Sequence, residues 1–402
     1  MKILFVTHRL PYAPNRGDRI RAYHMLQHLG REASVSLLSL VHDREEEAAD
    51  LSSLPITHAT LVRTTPWRNR MRSAMALPTR QPLTHTLLDS PGLEAALAEA
   101  VALQPPDVVL AFCTGVARLA FSEPLKNVPV VLDMVDVDSA KWSALSASTR
   151  PPMRWIYGRE ARCLGAFERS IVARCATTLV VTDRERTTLR EEVGAGDIRV
   201  IPNGVDLQQF HNPHVPTAAP RVVFCGVMNY APNEAAALRL ARGIWPKIRA
   251  VRPDARLTFV GAHPTAAVRD LAVADGSIEV TGAVADVRPY LWKAAVSAAP
   301  IHTARGVQNK VLEALAAGLP VVTSEVVASG LPASVLPGCL VAERDEDAAD
   351  AIVWLLAQDP LARRAVANQA DLSRLGWDEQ MAPLRGILSA AARRRPCIRL
   401  AS

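Results

Sequence analysis

The chain has 402 residues, too many for one ordinary core, and 49% are apolar, enough for two packed domains and too many for disorder. A formal net charge of +6 points to an anionic partner, but 5% aromatics and no RNA-binding or zinc-finger spacing argue against nucleic acid. No apolar run approaches the roughly 20 residues that cross a bilayer, and the six cysteines form no CxxC pair, which fits a reducing cytoplasm and neither disulfide framework nor zinc site.

Taken in chain order, the first half offers strands at KILFV (2–6), VSLLSLV (35–41), DVVLAF (107–112), VPVVLD (128–133) and ATTLVVT (176–182). Longer amphipathic stretches separate these β-branched runs, the pattern of βαβ units and parallel sheets. GDRIRAYHMLQHLG puts Ile20, Tyr23, Leu26 and Leu29 on one helical stripe that stops at Gly30. IPNGVD (201–206) and HNPHVPTAAP (211–220) then interrupt the pattern as a linker does. It restarts with strands at RVVFC (221–225), ARLTFV (255–260), SIEV (277–280), VSAAP (296–300) and LPVVT (319–323), and ends in helices. The expected class is α/β: doubly wound, Rossmann-like domains at 1–200 and 201–374, with 375–402 a helix and tail placed to pack back on the first. Ligands of such sheets sit at the carboxyl ends of the strands, here on two sheets facing a cleft.

One stretch carries more chemistry than its apolar pattern needs. In ARGVQNKVLEALAAGLPVV (304–322) a loop leads into a helix that begins near Gln308 and stops at Gly318. The first turn of a helix leaves N–H groups without partners at its positive dipole end. Gly306 lets a phosphate come close to them, and Arg305 and Lys310 add full charges, beside the polar side chains of Gln308 and Asn309. Glu313, one turn further in, can accept hydrogen bonds from the neighbouring hydroxyls of a ribose. The plain alternative is an i,i+3 ion pair between Lys310 and Glu313 on a structural helix.

KVLEALAAGLPVV resembles the closing half of the donor-site motif of family 4 retaining glycosyltransferases, and IPNGVD resembles their hinge. Taken together, RLPYAPNRGDRIR, DMVDVDSAKW (133–142), GVMNYAPN (226–233) and ARGVQNKVLEA resemble more narrowly the sugar transferases of bacterial PEP-CTERM/exosortase exopolysaccharide clusters. The resemblance runs over nearly the whole chain and implies the GT-B fold, a nucleotide diphosphate sugar as donor, no metal and no further cofactor. Two departures stand out. The family's usual pair of glutamates flanks seven residues; Glu313 matches the second, on the ribose, but Arg305 replaces the first, on the sugar. The Arg and Lys that usually grip the diphosphate after the first strand of the second domain are absent from GVMNYAPN, where Val227 and Asn233 stand near those places. The two losses read as one change, with Arg305 and Lys310 supplying the missing charges.

Further candidates follow from position. Gly17, with Asn15, Arg16, Arg19 and Arg21 around it, heads the first long helix, where the resemblance puts a loop near the donor phosphates; the plain reading is a helix cap with Asp18. Asp133, Asp136 and Asp138 match no calcium loop, and at least one is expected to cap the helix at SAKW, with Asp138 also an acceptor-side candidate. Relatives carry a histidine where this chain has Cys113 and Thr114, leaving His8 and His302 as catalytic candidates or ordinary hydrogen-bonded histidines. RTTPWRNRMRSAMALPTR (63–80) interleaves arginines with Trp67, Met71 and Met75, as suits peripheral contact with an anionic membrane, or a solvated loop.

The expected activity is transfer of a sugar to a lipid-linked or exopolysaccharide acceptor, in the cytoplasm or at the inner face of the membrane. A non-catalytic nucleotide-sugar-binding or scaffold subunit stays open because the first glutamate is missing. So does a nucleotide-sugar 2-epimerase of the same fold, although its carboxylates and histidines find no obvious set here. No GxGxxG follows the strands at 2–6 or 221–225, which argues against a dinucleotide-dependent dehydrogenase.

Overall fold

The structure, a computed structural model, describes residues 1–13, 17–304 and 306–393. It divides into two units, Met1–Pro202 joined by the chain from Met381 onward, and Asn203–Gln380. The sequence reading puts these breaks at 200/201 and 374/375.

The first unit holds seven parallel strands in the order β3-β2-β1-β4-β5-β6-β7. They are β1 (Lys2–Thr7), β2 (Ser34–Val41), β3 (His58–Arg63), β4 (Val108–Phe112), β5 (Val130–Val135), β6 (Thr177–Val180) and β7 (Ile198–Val200). Ile3, Leu4, Phe5 and Val6 are all buried, because helices on both faces of a parallel sheet leave a strand no solvent side. On the helix Gly17–Gly30 the buried face is Ala22, Met25, Leu26 and Leu29, while Ile20 and Tyr23 are only partly covered. The expected stripe is therefore rotated. Arg21 joins the buried side because it pairs with Asp133 (2.8 Å) and donates to the Pro202 carbonyl (3.2 Å), so the buried charge is not left without a partner.

The second unit holds six parallel strands in the order β10-β9-β8-β11-β12-β13. They are β8 (Arg221–Cys225), β9 (Arg256–Val260), β10 (Ile278–Val280), β11 (Val296–Ala299), β12 (Val321–Thr323) and β13 (Cys339–Val341). Its core runs through Val222, Phe224, Phe259, Val296 and Val321 to Trp245, whose indole donates to Ser277 (2.9 Å). The three strands without a sequence-level expectation, β3, β7 and β13, all lie at sheet edges.

Candidate functional site

The helix Asn309–Ala316 follows β11 through a loop that the second unit ties down from several sides. Arg239 donates to the Pro300 carbonyl (3.2 Å), to Asp345 (2.7 Å) and to the Glu343 carbonyl, and the Ser324 hydroxyl donates to the Ile301 carbonyl (2.5 Å). Gly306 turns the loop at φ +62°, conformational space that favours glycine. Its carbonyl lies so near Gly330 that a Cβ added there would stand 2.7 Å from the oxygen. Gly330→Ala should therefore displace the loop, raising donor KM several-fold (about 1 kcal/mol) with kcat within about twofold, as steady-state kinetics would read.

The helix buries Val311, Leu312, Ala314 and Leu315 and carries Lys310 and Glu313 on its less covered side. Gln308 sits extended at the cap position, and its side chain accepts no hydrogen bond from the first-turn amides. Asn309 accepts from Asn203 (3.2 Å). At the far end Gly318 takes φ +78° and closes the helix on the Leu315 carbonyl (2.9 Å).

Lys310 does not reach into solvent. Its ammonium donates to Asn233 Oδ1 (2.5 Å) and lies 4.9 Å from the centre of the Phe224 ring, while Asn233 Nδ2 donates to the Val227 carbonyl (2.9 Å). The amine thus arrives in the GVMNYAPN segment after β8, the loop that has no cation of its own. Two glycines make room for it. A Cβ on Gly226 would come within 3.2 Å of Lys310 Nζ, and one on Gly261 (φ +147°) would overlap the Gly226 carbonyl. The sequence reading passed over this cradle, although Cys225-Gly226 and Val260-Gly261, each a glycine directly after a buried strand, are its signal. Burial lowers Lys310 to about 8, against the opposing pull of Cys225 and Glu313.

Glu313 keeps part of its surface open, yet dense surroundings desolvate its carboxyl and raise it to about 7, with Lys310 opposing. Among the described residues no hydrogen bond or ion pair within 4 Å holds that carboxylate. The plain i,i+3 ion pair with Lys310 is not formed, because the ammonium is turned onto Asn233.

The other candidates are more dispersed. Arg305 lies outside the described residues, as do Asn15 and Arg16; Gly17 opens the first helix. His302 is exposed and pairs with Glu343 at 3.3 Å. The His8 ring stacks on Phe112 (5.9 Å between centres), and its carbonyl accepts from His42 (2.9 Å). Of the three aspartates, Asp133 is the buried partner of Arg21, and none caps the helix Asp138–Ser148. Val137 stands at the cap instead, and carboxylates from distant helices take over: Glu185 accepts from Val137 N (2.7 Å) and Glu168 from Ser139 N (3.1 Å). Asp138 is the first helical residue, and burial raises its carboxyl to about 6, Lys141 opposing and Asp136 adding to the rise. Among the described residues no three His, Cys, Asp or Glu side chains gather as metal ligands would.

Comparison with known proteins places both units. Residues 19–209 match the domain family described as Glycosyltransferase Family 4, and residues 219–358 match Glycosyl transferases group 1. A curated relative, D-inositol 3-phosphate glycosyltransferase of Xylanimonas cellulosilytica, is 28% identical over 299 residues, 67% of this chain and 68% of that protein. Among solved structures, sucrose-phosphate synthase from Thermosynechococcus elongatus is 18% identical with a TM-score of 0.71, over 97% of this chain and 100% of that one. Anabaena HepE, solved with UDP and glucose, gives 14% and 0.65 over 97% and 100%. WaaG, a glycosyltransferase of lipopolysaccharide biosynthesis, gives 16% and 0.64 over 95% and 99%. At these identities the structural likeness carries the fold, which is GT-B.

Proposed function

We propose that this chain, which belongs to the family 4 glycosyltransferases of GT-B fold, moves a sugar from a nucleotide diphosphate sugar to a lipid-linked or exopolysaccharide glycan with retention at the anomeric carbon. The observation that carries the proposal is that one short helix presents both Lys310, its ammonium held in the loop after β8, and Glu313, a desolvated carboxylate that no described side chain holds. Lys310 and the first amides of its helix bind the diphosphate, together with Arg305, and Glu313 accepts from the ribose hydroxyls. Gly306, Gln308 and Asn309 shape the loop around the phosphates, and Asn233 aims the Lys310 amine. His8, Asp138 and His302 are kept as catalytic candidates of lower rank, Asp138 on the acceptor side.

In the reaction the bond from the anomeric carbon to the phosphate oxygen breaks and the acceptor oxygen bonds to that carbon on the same face. The acceptor proton passes to the departing diphosphate. Positive charge set against the negative charge that develops on the departing diphosphate therefore does most of the work. This fits a site with two cations and a helix start that no side chain caps, and no metal or further cofactor takes part. The first unit takes the acceptor, the second the donor, and the enzyme acts in the cytoplasm. Resemblance to the transferases of PEP-CTERM/exosortase clusters favours an exopolysaccharide product. UDP-bound HepE makes UDP-sugars the first donors to try. A panel of nucleotide sugars, screened with EDTA present, should contain one that raises the melting temperature and is slowly hydrolysed to the nucleoside diphosphate. Stabilisation without hydrolysis or transfer would favour a scaffold, and an isomerised nucleotide sugar made without acceptor would favour an epimerase.

A further inference from the structure

The helix Pro66–Ala76 of the first unit is amphipathic in the reverse sense. Its buried residues include Asn69 and Ser73, which are tied inside: Asn69 Nδ2 donates to the carbonyls of Leu87 (2.9 Å) and Asp89 (2.7 Å), and the Ser73 hydroxyl meets that of Thr86 (2.6 Å). The apolar side chains face out, with Trp67, Met71 and Met75 exposed by 66%, 58% and 67%. A helix that only needed to cover its own core would be turned the other way.

The apolar face continues onto a second element. The Arg159 guanidinium donates to the carbonyls of Ala76, Leu77, Thr79 and Gln81, between 2.7 and 3.0 Å, and so stitches the end of this helix to the helix Met153–Val172. One turn before Arg159, on the same side of that helix, stands Trp155, 69% exposed. Residues 61–88 contain five arginines and no Asp or Glu, and residues 139–159 contain three arginines, one lysine and again no Asp or Glu. Of these cations, Arg63, Arg72 and Arg159 pair with Glu47, Asp89 and Glu160 outside the two segments. Arg68, Arg70, Arg80 and Arg154 are exposed, and among the described residues none of them forms an ion pair.

We propose that this face docks the enzyme on a bilayer surface bearing anionic lipid, with the Trp and Met side chains entering the headgroup boundary and the free arginines meeting lipid phosphates. A protein partner would accept the apolar side chains equally well, but a stretch of two segments without a single acid fits a uniformly negative surface better. No described helix is long and apolar enough to span a membrane, so the contact is peripheral.

Sedimentation with vesicles at about 0.1 M salt tests the proposal. The full chain should partition onto phosphatidylcholine–phosphatidylglycerol vesicles at least about tenfold more strongly than onto phosphatidylcholine alone. Trp67→Ser with Met71→Ser and Met75→Ser should lower that partition at least tenfold. Arg68→Gln with Arg70→Gln should remove most of the preference for anionic lipid. Because these side chains are exposed, melting temperature and donor hydrolysis should stay unchanged. Absence of vesicle binding, binding indifferent to lipid charge, or a triple variant that binds as the wild type does would each overturn the proposal. So would self-association that the triple variant disperses while no vesicle is bound.

Discussion

Lys310→Ala should lower kcat/KM for the donor by about 10- to 1,000-fold, a loss of ~1.5–4 kcal/mol. The loop after β8 contains no cation, and the ammonium from the following domain helix fills that place by donating to Asn233. Removing it leaves the departing diphosphate facing amide dipoles and whatever Arg305 supplies. Lys310→Arg should restore little, since the amine lies against Asn233 and Phe224 and a Cβ on Gly226 would already crowd it at 3.2 Å. Calorimetry separates the parts of the ligand: the variant should lose affinity for a nucleoside diphosphate and keep that for the nucleoside. An unchanged kcat/KM would remove Lys310 from the donor site.

Glu313→Gln should weaken donor binding by about 10- to 100-fold, the difference between a carboxylate and an amide accepting two hydroxyl hydrogen bonds. The same variant should melt at a higher temperature at pH 8. The wild-type carboxyl titrates near 7 in the folded protein and near 4.5 when unfolded, so between these values the folded state holds the extra proton. Stability therefore falls as pH rises through that window, and above it the buried charge is a standing cost that glutamine does not carry. Donor kcat/KM of the wild type should in turn be bell-shaped, rising as Glu313 ionises near 7 and falling as Lys310 loses its proton near 8. Loss of the acidic limb in Glu313→Gln would assign it. A flat profile, or a variant that neither loses donor affinity nor gains stability, would speak against this role.

The helix carrying these residues was readable in advance because its signals are local: Gln308 before the first turn, apolar Val311, Leu312, Ala314 and Leu315 at helical spacing, and Gly318 in a left-handed conformation at its end. Central strands were equally legible, since a strand covered on both faces needs a continuous apolar run. The edge strands β3, β7 and β13 were not. HATLVR is half polar, and IRV and CLV are only three residues long, because an edge asks less of its sequence. What the sequence could not convey was pairing at a distance. Lys310 was legible as the source of the charge missing from the loop after β8, but not Asn233, 77 residues away, as the group that holds it, nor Asp133 as the partner of Arg21, 112 residues away. The caps at Val137 and Ser139 escaped for the same reason, their carboxylates arriving from Glu185 and Glu168.

The most direct measurement is a crystal structure of the protein soaked with UDP. The diphosphate should lie against Lys310 Nζ and the first amides of the helix Asn309–Ala316, with the ribose hydroxyls on the Glu313 carboxylate. A nucleotide bound elsewhere, or a ribose that leaves Glu313 untouched, would contradict the assignment.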